Sequence, residues 1–160
     1  MSDEEYVRIV NRYTDIVYRV ALSYAKSKHD AEDVVQTTFM KLLIKEVTFK
    51  DEEHIRKWLI RVAVNECNSL WSSFWRKNVD SIDNMGQEPE FTTQEKSELY
   101  YAVLELPRKY RVVVHLFYYE GYSTREISQI LHIRETAVRT RLVRARKQLK
   151  QRLKEDWQNE

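Results

Sequence analysis

The sequence predicts an all-α protein made of two small helical domains joined by a flexible acidic linker. Only four of the 160 residues are glycine or proline. No run of alternating apolar and polar residues bounded by turn signals is present, so strands are not expected. Apolar residues instead recur at three- and four-residue spacing, which is typical of amphipathic helices. We place the domains at 1–77 and 95–160, with the linker at 78–94.

Three helices are predicted in the first domain. The first covers about 4–26, the second begins near Asp30, whose side chain can cap free backbone N–H groups, and the third covers about 53–76. The third is rich in aromatic residues. The apolar positions of the three helices are Tyr6, Val10, Tyr13, Val17, Val20, Ala21 and Tyr24; Val34, Val35, Phe39, Leu42 and Leu43; and Ile55, Trp58, Leu59, Val62, Ala63, Leu70, Trp71, Phe74 and Trp75.

The few glycines and prolines mark the boundaries in the rest of the chain. Gly86 and Pro89 lie in a polar segment without sustained apolar periodicity, which predicts the linker. Pro107 and Gly121 fall between apolar-periodic segments and indicate short turns between helices. Four more helices are therefore predicted, over about 94–105, 108–119, 124–131 and 135–154.

The net charge of +2 conceals a strong asymmetry along the chain. Residues 78–98 carry one basic and six acidic side chains, whereas residues 121–154 carry ten basic and two acidic ones, a local excess of eight positive charges. Positive charge concentrated in one segment favours a polyanionic partner.

Composition and motifs exclude several classes of protein. The chain is 42% hydrophobic and 32% charged, and no apolar run approaches the roughly 20 residues of a membrane span. The acidic N-terminus lacks the features of a secretory signal, and the single cysteine, Cys67, precludes an intrachain disulfide. We therefore expect a cytoplasmic protein without membrane insertion of its own. Cys67 is interpreted as a packed small side chain, with a redox sensor as the alternative.

Motifs of catalysis and metal binding are missing from the sequence. It contains no phosphate-binding loop, dinucleotide-binding motif or HExxH motif, and its four histidines show no metal-ligand spacing with Cys67. We expect no enzymatic activity, no cofactor and no metal site.

The segment GYSTREISQILHIRETAVRTRLVRARKQL predicts a helix-turn-helix. Ser123 and Glu126 form a capping box at the start of a short helix, and the sequence His132-Ile133-Arg134 separates it from a longer one. In helix-turn-helix proteins the second helix docks in the DNA major groove and the first supports it.

The second of these helices has two different faces. An apolar stripe follows 4, 3, 4, 4 spacing, and the opposite side mixes Arg and Thr with a small apolar residue, which suits contacts to base edges and phosphates. A solvated basic surface or a membrane-surface helix is the alternative, although the stripe lacks the aromatic residues that favour membranes. The stripe is Val138, Leu142, Ala145, Leu149 and Leu153; the opposite face is Thr136, Thr140, Val143, Arg144 and Lys147, flanked by Arg139, Arg141 and Arg146.

Four segments together resemble one protein family. They are DAEDVVQTTFMKLL, FKDEEHIRKWLIRVAVNECNSLW, LPRKYRVVVHLFYYEGYSTREISQIL and ETAVRTRLVRARKQLK. In this order they resemble the extracytoplasmic-function group of bacterial sigma factors, over about 5–76 and 95–153. The resemblance implies a promoter-specificity subunit that acts on core RNA polymerase, contacts promoter −10 and −35 elements, and is masked by an anti-sigma factor.

The resemblance implies roles for residues of the first domain. The DAEDVVQ helix resembles the surface that binds the clamp helices of the largest polymerase subunit, with Thr37 where glutamate is usual. For Phe39, core packing is the alternative. The segment from Phe49 to Trp58 resembles the loop that captures a flipped base of the −10 element, and Asn65 takes the place of a base-contacting asparagine. The implied polymerase contacts are Asp33, Gln36, Thr37, Phe39 and Met40, and the implied −10 contacts are Phe49, Lys50, His54, Trp58, Arg61 and Asn65.

Several of these assignments compete with simpler interpretations. Trp58, Trp71, Phe74 and Trp75 have the spacing of core residues as well as the stacking surfaces that unpaired bases need. Arg61, Arg76 and Lys77 are either phosphate contacts or solvated surface. The loop sequence KDEEH is strongly acidic for a neighbour of nucleic acid.

In the second domain, the −35 contacts of the family correspond to residues on the outward side of the last helix. His132 stands where the family often has glycine, and Arg134 stands where serine or threonine is usual. Histidine tolerates a positive φ, but Arg134 cannot cap the helix as serine would. Residues 100–119 are expected to offer an apolar surface to the β-flap of the polymerase. The implied −35 contacts are Thr136, Arg139, Thr140, Arg141, Val143, Arg144 and Lys147.

Two other functions remain open from the residues alone. One is a stand-alone helix-turn-helix regulator with an effector or dimerisation domain in its N-terminal half, which would bind duplex DNA by itself as a dimer on a palindrome. The other is a helical interaction protein whose basic segment is incidental.

Overall fold

The computed structural model describes residues 1–77 and 94–158, and every regular element within these ranges is a helix. The all-α prediction is confirmed. The chain divides into two compact units, Met1–Gln87 and Glu88–Glu160. Residues 78–93, which hold most of the predicted linker together with Gly86 and Pro89, lie outside the described residues.

The helices begin and end close to their predicted positions, with two differences. The predicted helix at 108–119 ends in a π-helical turn, and the predicted helix at 135–154 continues to Gln158. None of the described helices is long and apolar enough to cross a bilayer. The elements are α1 (Asp3–Ala25), α2 (Lys28–Ile44), α3 (Glu52–Lys77), α4 (Gln94–Glu105), α5 (Arg108–Val114), the π turn (His115–Tyr119), α6 (Thr124–Leu131) and α7 (Glu135–Gln158).

Serine side chains cap the first two helices. The Ser2 hydroxyl accepts a hydrogen bond from the Glu5 N–H at 3.2 Å, and the Ser27 hydroxyl accepts one from the Asp30 N–H at 3.3 Å. The prediction that Asp30 caps α2 is therefore wrong. Asp30 lies inside the first turn, where its negative charge is favourable next to the positive end of the helix dipole.

Helices α1, α2 and α3 pack on one another around the core of the N-terminal unit. The predicted apolar faces are buried for the most part, and Cys67 is a packed core residue. Leu43 and Leu70 are exceptions, because 63% and 38% of their surfaces are exposed. Leu42 is buried, whereas Leu43 is rotated by about 100° around the helix axis and lies outside the face of α2 that packs on α1 and α3. The largest fully buried side chains of this unit are Ile9, Val17, Val20, Val34, Leu42, Leu59 and Ile60.

In the C-terminal unit, α5 and α6 pack against α7. The buried Arg111 donates from Nη1 to the Leu106 carbonyl at 2.7 Å, which satisfies a carbonyl group just beyond the end of α4. The π turn is closed by a hydrogen bond of 2.7 Å between His115 Nε2 and Glu120 Oε2, both largely shielded from solvent. Gly121 follows at φ 75°, a conformation that favours glycine.

The helix-turn-helix forms as predicted. Ser123 and Glu126 make the capping box in both directions, with distances of 3.1 and 3.2 Å. His132 ends α6 in the left-handed region at φ 54° and ψ 45°. The Arg134 side chain is not a capping type. The Arg134 carbonyl accepts the first hydrogen bonds of α7, from the N–H groups of Ala137 and Val138.

Candidate nucleic-acid and partner interfaces

The outward face of α7 is exposed as the helical spacing predicted. Val138, Leu142 and Ala145 are buried against the unit, and 60% of Val143 is exposed on the other side. An apolar side chain so exposed on a basic helix contributes little to folding but can contact a thymine methyl group. The predicted −35 residues Thr136, Arg139, Thr140, Val143, Arg144 and Lys147 are exposed, and Arg141 is half-buried.

Arg146, which flanks this face, is held by aromatic residues of the π turn. Its Nε donates to the Tyr118 hydroxyl, and its guanidinium carbon lies 5.6 Å from the Tyr118 ring centroid and 5.7 Å from that of Phe117. These are cation–π distances. The contact fixes a positive charge at the edge of the face, and no acidic side chain among the described residues pairs with it.

Helix α2 presents polar and apolar side chains on one exposed side. Asp33, Gln36 and Met40 are exposed and Thr37 is half-buried, in agreement with a surface that binds a partner. Phe39 is only 5% exposed, and its carbonyl accepts a hydrogen bond from the Tyr6 hydroxyl at 2.9 Å. The structure therefore supports core packing for Phe39, and its assignment as a surface contact is corrected.

Two residues of this surface were missed from the sequence. Leu43 and Ile44 are 63% and 71% exposed, next to Met40 at 55%. They follow Met40 by three and four residues, and residues at these spacings are neighbours on a helix surface. This spacing could have identified them from the sequence. We call the exposed set the α2 surface: Asp33, Gln36, Thr37, Met40, Leu43 and Ile44.

Of the predicted −10 residues, Phe49, Lys50, His54 and Trp58 lie near the start of α3, and Arg61 and Asn65 lie further along the helix. Phe49 meets His54 and Trp58 edge to face, with ring centroids 5.2 and 5.7 Å away. The Lys50 N–H donates to His54 Nδ1 at 3.1 Å. Helix α3 begins at Glu52. His54 and Trp58 therefore lie on the helix, and the loop is shorter than the predicted segment from Phe49 to Trp58.

The remaining predicted residues here differ in exposure. Lys50 and Asn65 are exposed, whereas Phe49, His54, Trp58 and Arg61 are half-buried. Trp58 is thus neither a core residue nor a free platform, since part of its surface packs on Phe49. The side chains of Trp71, Phe74, Trp75, Arg76 and Lys77 lie outside the described residues.

The acidic residues of KDEEH are used within the protein. Asp51 Oδ1 accepts from the His54 N–H at 2.8 Å and caps α3. Glu52 Oε1 accepts from Arg8 Nη1 at 2.8 Å, and Oε2 accepts from the Tyr13 hydroxyl. Glu52 thus attaches α3 to α1, whereas Asp51 caps α3 and Glu53 pairs with Arg56 on the same helix.

The Glu52 contacts shift two pKa values. The hydrogen bond from Tyr13 lowers the pKa of Glu52, and the Arg8 guanidinium lowers it further. Burial raises the pKa of Tyr13 to about 12, assisted by its hydrogen bond to Glu52. A carboxylate with a depressed pKa stabilises the folded state above its unfolded pKa and loses that contribution as pH falls through the folded pKa.

We expect Glu52→Gln to destabilise the protein by about 1 kcal/mol at pH 7, since the carboxylate is partly exposed and its hydrogen bonds involve charge. The difference from the wild type should shrink as the pH falls below the usual glutamate pKa of 4.5. Urea unfolding followed by tryptophan fluorescence at pH 7 and pH 3.5 measures it. Glu53→Gln, which breaks only an exposed pair with Arg56, is the control. An equal difference at both pH values would contradict the Glu52 assignment.

No group of three or more His, Cys, Asp or Glu side chains that could hold a metal ion occurs among the residues that the structure describes. The geometry instead consists of exposed faces: a mixed basic face on α7, the α2 surface, and an aromatic cluster beside a short loop. Such faces are suited to macromolecular partners.

Two family models match this chain in the order of its two units. The model for sigma-70 region 2 matches residues 9–77, and the model for sigma-70 region 4 matches residues 96–149. The extracytoplasmic-function sigma factor SigM of Bacillus subtilis is 33% identical over 149 residues, covering 89% of this chain and 91% of SigM. The chain belongs to the extracytoplasmic-function group of sigma-70 factors.

One further relative and two solved structures are similar to this chain. SigV of Bacillus subtilis is 33% identical to this sigma factor over 146 residues, covering 87% of this chain and 86% of SigV. The sigma factor RpoE, solved in complex with the anti-sigma factor NepR from Bartonella quintana, has a TM-score of 0.81 at 23% identity, covering 94% of this chain and 98% of RpoE. CnrH, solved with the cytosolic domain of CnrY, has a TM-score of 0.70 at 22% identity, covering 97% of this chain and 91% of CnrH. At these identities the two structures show the shared fold.

Proposed function

We propose that this sigma factor binds core RNA polymerase and directs it to promoters through a −35 and a −10 contact. The observation that carries the proposal is the outward face of α7, where Arg, Thr and an exposed Val143 stand over a buried apolar stripe. An arginine guanidinium can donate two hydrogen bonds to one guanine, and threonine or valine can contact the edges of other bases. We assign residues 95–160 to −35 recognition, with Arg139, Thr140, Val143 and Arg144 at the bases.

The α2 surface is the proposed contact with the clamp helices of the polymerase. It combines the exposed polar residues Asp33 and Gln36 with exposed apolar residues at its C-terminal end. Apolar side chains at the centre of an interface contribute most of the binding energy, and a polar rim orients the partner. We assign residues 1–77 to polymerase binding and to the −10 element.

The aromatic cluster at the start of α3 is the proposed −10 contact. An unpaired base gains stacking energy on an aromatic ring of about 1–3 kcal/mol, which favours a melted strand. Phe49 and Trp58 are partly exposed, Lys50 is exposed next to Phe49 in the chain, and Asn65 is exposed about two turns beyond Trp58 on α3. The cluster thus supplies stacking surfaces, a positive charge and an amide that can hydrogen-bond a base.

We further propose that the protein acts in the cytoplasm by binding rather than by catalysis, and that an anti-sigma factor covers its polymerase-binding surfaces. RpoE was solved in complex with the anti-sigma factor NepR, and CnrH was solved in complex with the cytosolic domain of CnrY.

The exposed residues Tyr118 and Tyr119 belong to the proposed β-flap contact in the C-terminal unit.

Run-off transcription tests the proposal directly. Core polymerase of Bacillus subtilis is mixed with this protein and a pool of templates with randomised −35 and −10 segments, and SigM on its own promoter serves as the positive control. We expect transcripts that share one pair of elements. No initiation above core polymerase alone would refute the proposal, and tight duplex binding by the protein without initiation would identify a stand-alone regulator.

A further inference from the structure

Glu135 places a carboxylate on the side of α7 that carries the proposed −35 contacts. It precedes Arg139 by four residues, and Val143 follows at the same spacing, so the three side chains lie along one stripe of the helix. A negative charge here repels DNA phosphates. Glu135 also stands in the first turn of α7, where the helix dipole favours a carboxylate, so its effect on the DNA-facing side depends on the contacts that it makes.

The contacts of Glu135 indicate that role. Its Oε1 atom accepts a hydrogen bond from Arg139 Nη2 at 2.8 Å and another from the Thr124 hydroxyl at 2.9 Å. Thr124 is the first residue of α6, and Glu135 is the first residue of α7. One oxygen atom thus connects both helices of the helix-turn-helix to the guanidinium of a proposed base contact.

The helix dipole accounts for a carboxylate at the start of α7 but not for its pairing with Arg139. The Arg139 and Glu135 side chains are 61% and 35% exposed, and ion pairs at such exposure contribute little to stability. Orientation is the larger effect, because arginine has five donors in a rigid fork and the hydrogen bond to Glu135 leaves others for a base edge. A side chain held before binding loses less rotamer freedom when the complex forms.

We propose that Glu135 is a positioning residue that, anchored by Thr124, holds Arg139 in the rotamer that contacts a base edge and so sets the preference at one −35 base pair. The carboxylate also offsets the charge of Arg139, which reduces its attraction to phosphates of any sequence. This inference rests on the −35 contact proposed above.

The test uses holoenzyme reconstituted from core polymerase and the full chain, with templates randomised only in the −35 element. Arg139→Ala identifies the base pair that Arg139 contacts, as the position where preference is lost. We expect Glu135→Ala to lower preference at that same base pair by about threefold to tenfold. In the Arg139→Ala background, Glu135→Ala should have no further effect on the preference at that base pair. Glu135→Gln keeps an acceptor oxygen and should retain the preference to within about twofold.

Thr124→Val is the matched control for the anchor, since it removes one hydrogen bond from Glu135 and leaves the pair with Arg139. It should lower preference at the same base pair by less than Glu135→Ala does. The melting temperature of each variant is measured in parallel, because a merely structural role would change stability without changing base preference.

The outcomes separate this inference from the proposed function. Unchanged preference in Glu135→Ala, a change at a different base pair, or an effect that persists without Arg139 would overturn the positioning role. If Arg139→Ala itself alters no base preference, the inference fails with the Arg139 assignment. If the wild-type protein gives no transcripts, the proposed function fails, and selection of duplexes by the full chain alone then provides the same comparison of variants.

Discussion

Leu43→Asp is expected to abolish promoter-dependent transcription while the protein remains folded. Leu43 is 63% exposed on the α2 surface, so its replacement removes almost no internal packing. In the proposed complex with the polymerase clamp, an aspartate at this position would lie without a partner in an apolar contact. Losses at the centre of an interface reach 2 kcal/mol or more, which corresponds to at least about a 30-fold weaker affinity for core polymerase.

Titration of fluorescently labelled protein with core polymerase measures the affinity, and circular dichroism verifies the fold. Val7→Asp is the control, because Val7 is a similarly exposed apolar residue, 54% exposed, on α1. It should bind core polymerase within about twofold of the wild type, as ordinary surface substitutions do. Equal losses for the two variants would indicate a general effect of added negative charge, and unchanged binding of Leu43→Asp would remove Leu43 from the interface.

Arg144→Ala is expected to reduce binding to the preferred −35 sequence by about fivefold to 150-fold, which corresponds to the roughly 1–3 kcal/mol of a good arginine–base contact. The effect should be confined to one base pair. Arg144 is exposed on the outward face of α7, so its removal does not disturb the core. Transcription from templates with each single substitution in the −35 element, compared between wild-type and variant holoenzyme, gives the preference at every position.

Lys150→Ala is the matched control for Arg144→Ala. Lys150 is also an exposed cation on α7, but it lies six residues beyond Arg144, the last of the proposed base contacts, which is about 9 Å further along the helix axis. Its removal should leave all base preferences unchanged. If Arg144→Ala weakens every template equally and reduces the salt dependence of binding, Arg144 contacts phosphate, and its assignment as a base contact is wrong.

Much of the helical structure could be predicted because its signals are local. The capping box of Ser123 and Glu126 lies within four consecutive residues, and the stripe of Val138, Leu142 and Ala145 repeats with the helical turn. Both appear in the structure as predicted. The start of α2 was less predictable, because Ser27 and Asp30 are both suitable caps and only the backbone geometry at Ser27 distinguishes them.

The candidate sites were predicted less completely than the helices. The exposed side chains of α7 follow from periodicity, since one buried stripe determines the opposite face. On α2, Phe39 and Leu43 have equal claims to the core from spacing alone, yet one is 5% and the other 63% exposed. The difference depends on where α1 and α3 pack, which is information that the α2 segment does not contain.

The order of residues was sufficient to predict the helical fold, the helix-turn-helix and the exposed face of α7, because each depends on signals that are local in the sequence. Tertiary packing decided which side of α2 is exposed and what Glu52 of KDEEH contacts. Glu52 meets Arg8 across 44 positions of the chain, and Thr124 meets Glu135 from another helix. Contacts between separate helices depend on how those helices are oriented in three dimensions, and periodicity within a single segment does not encode that orientation.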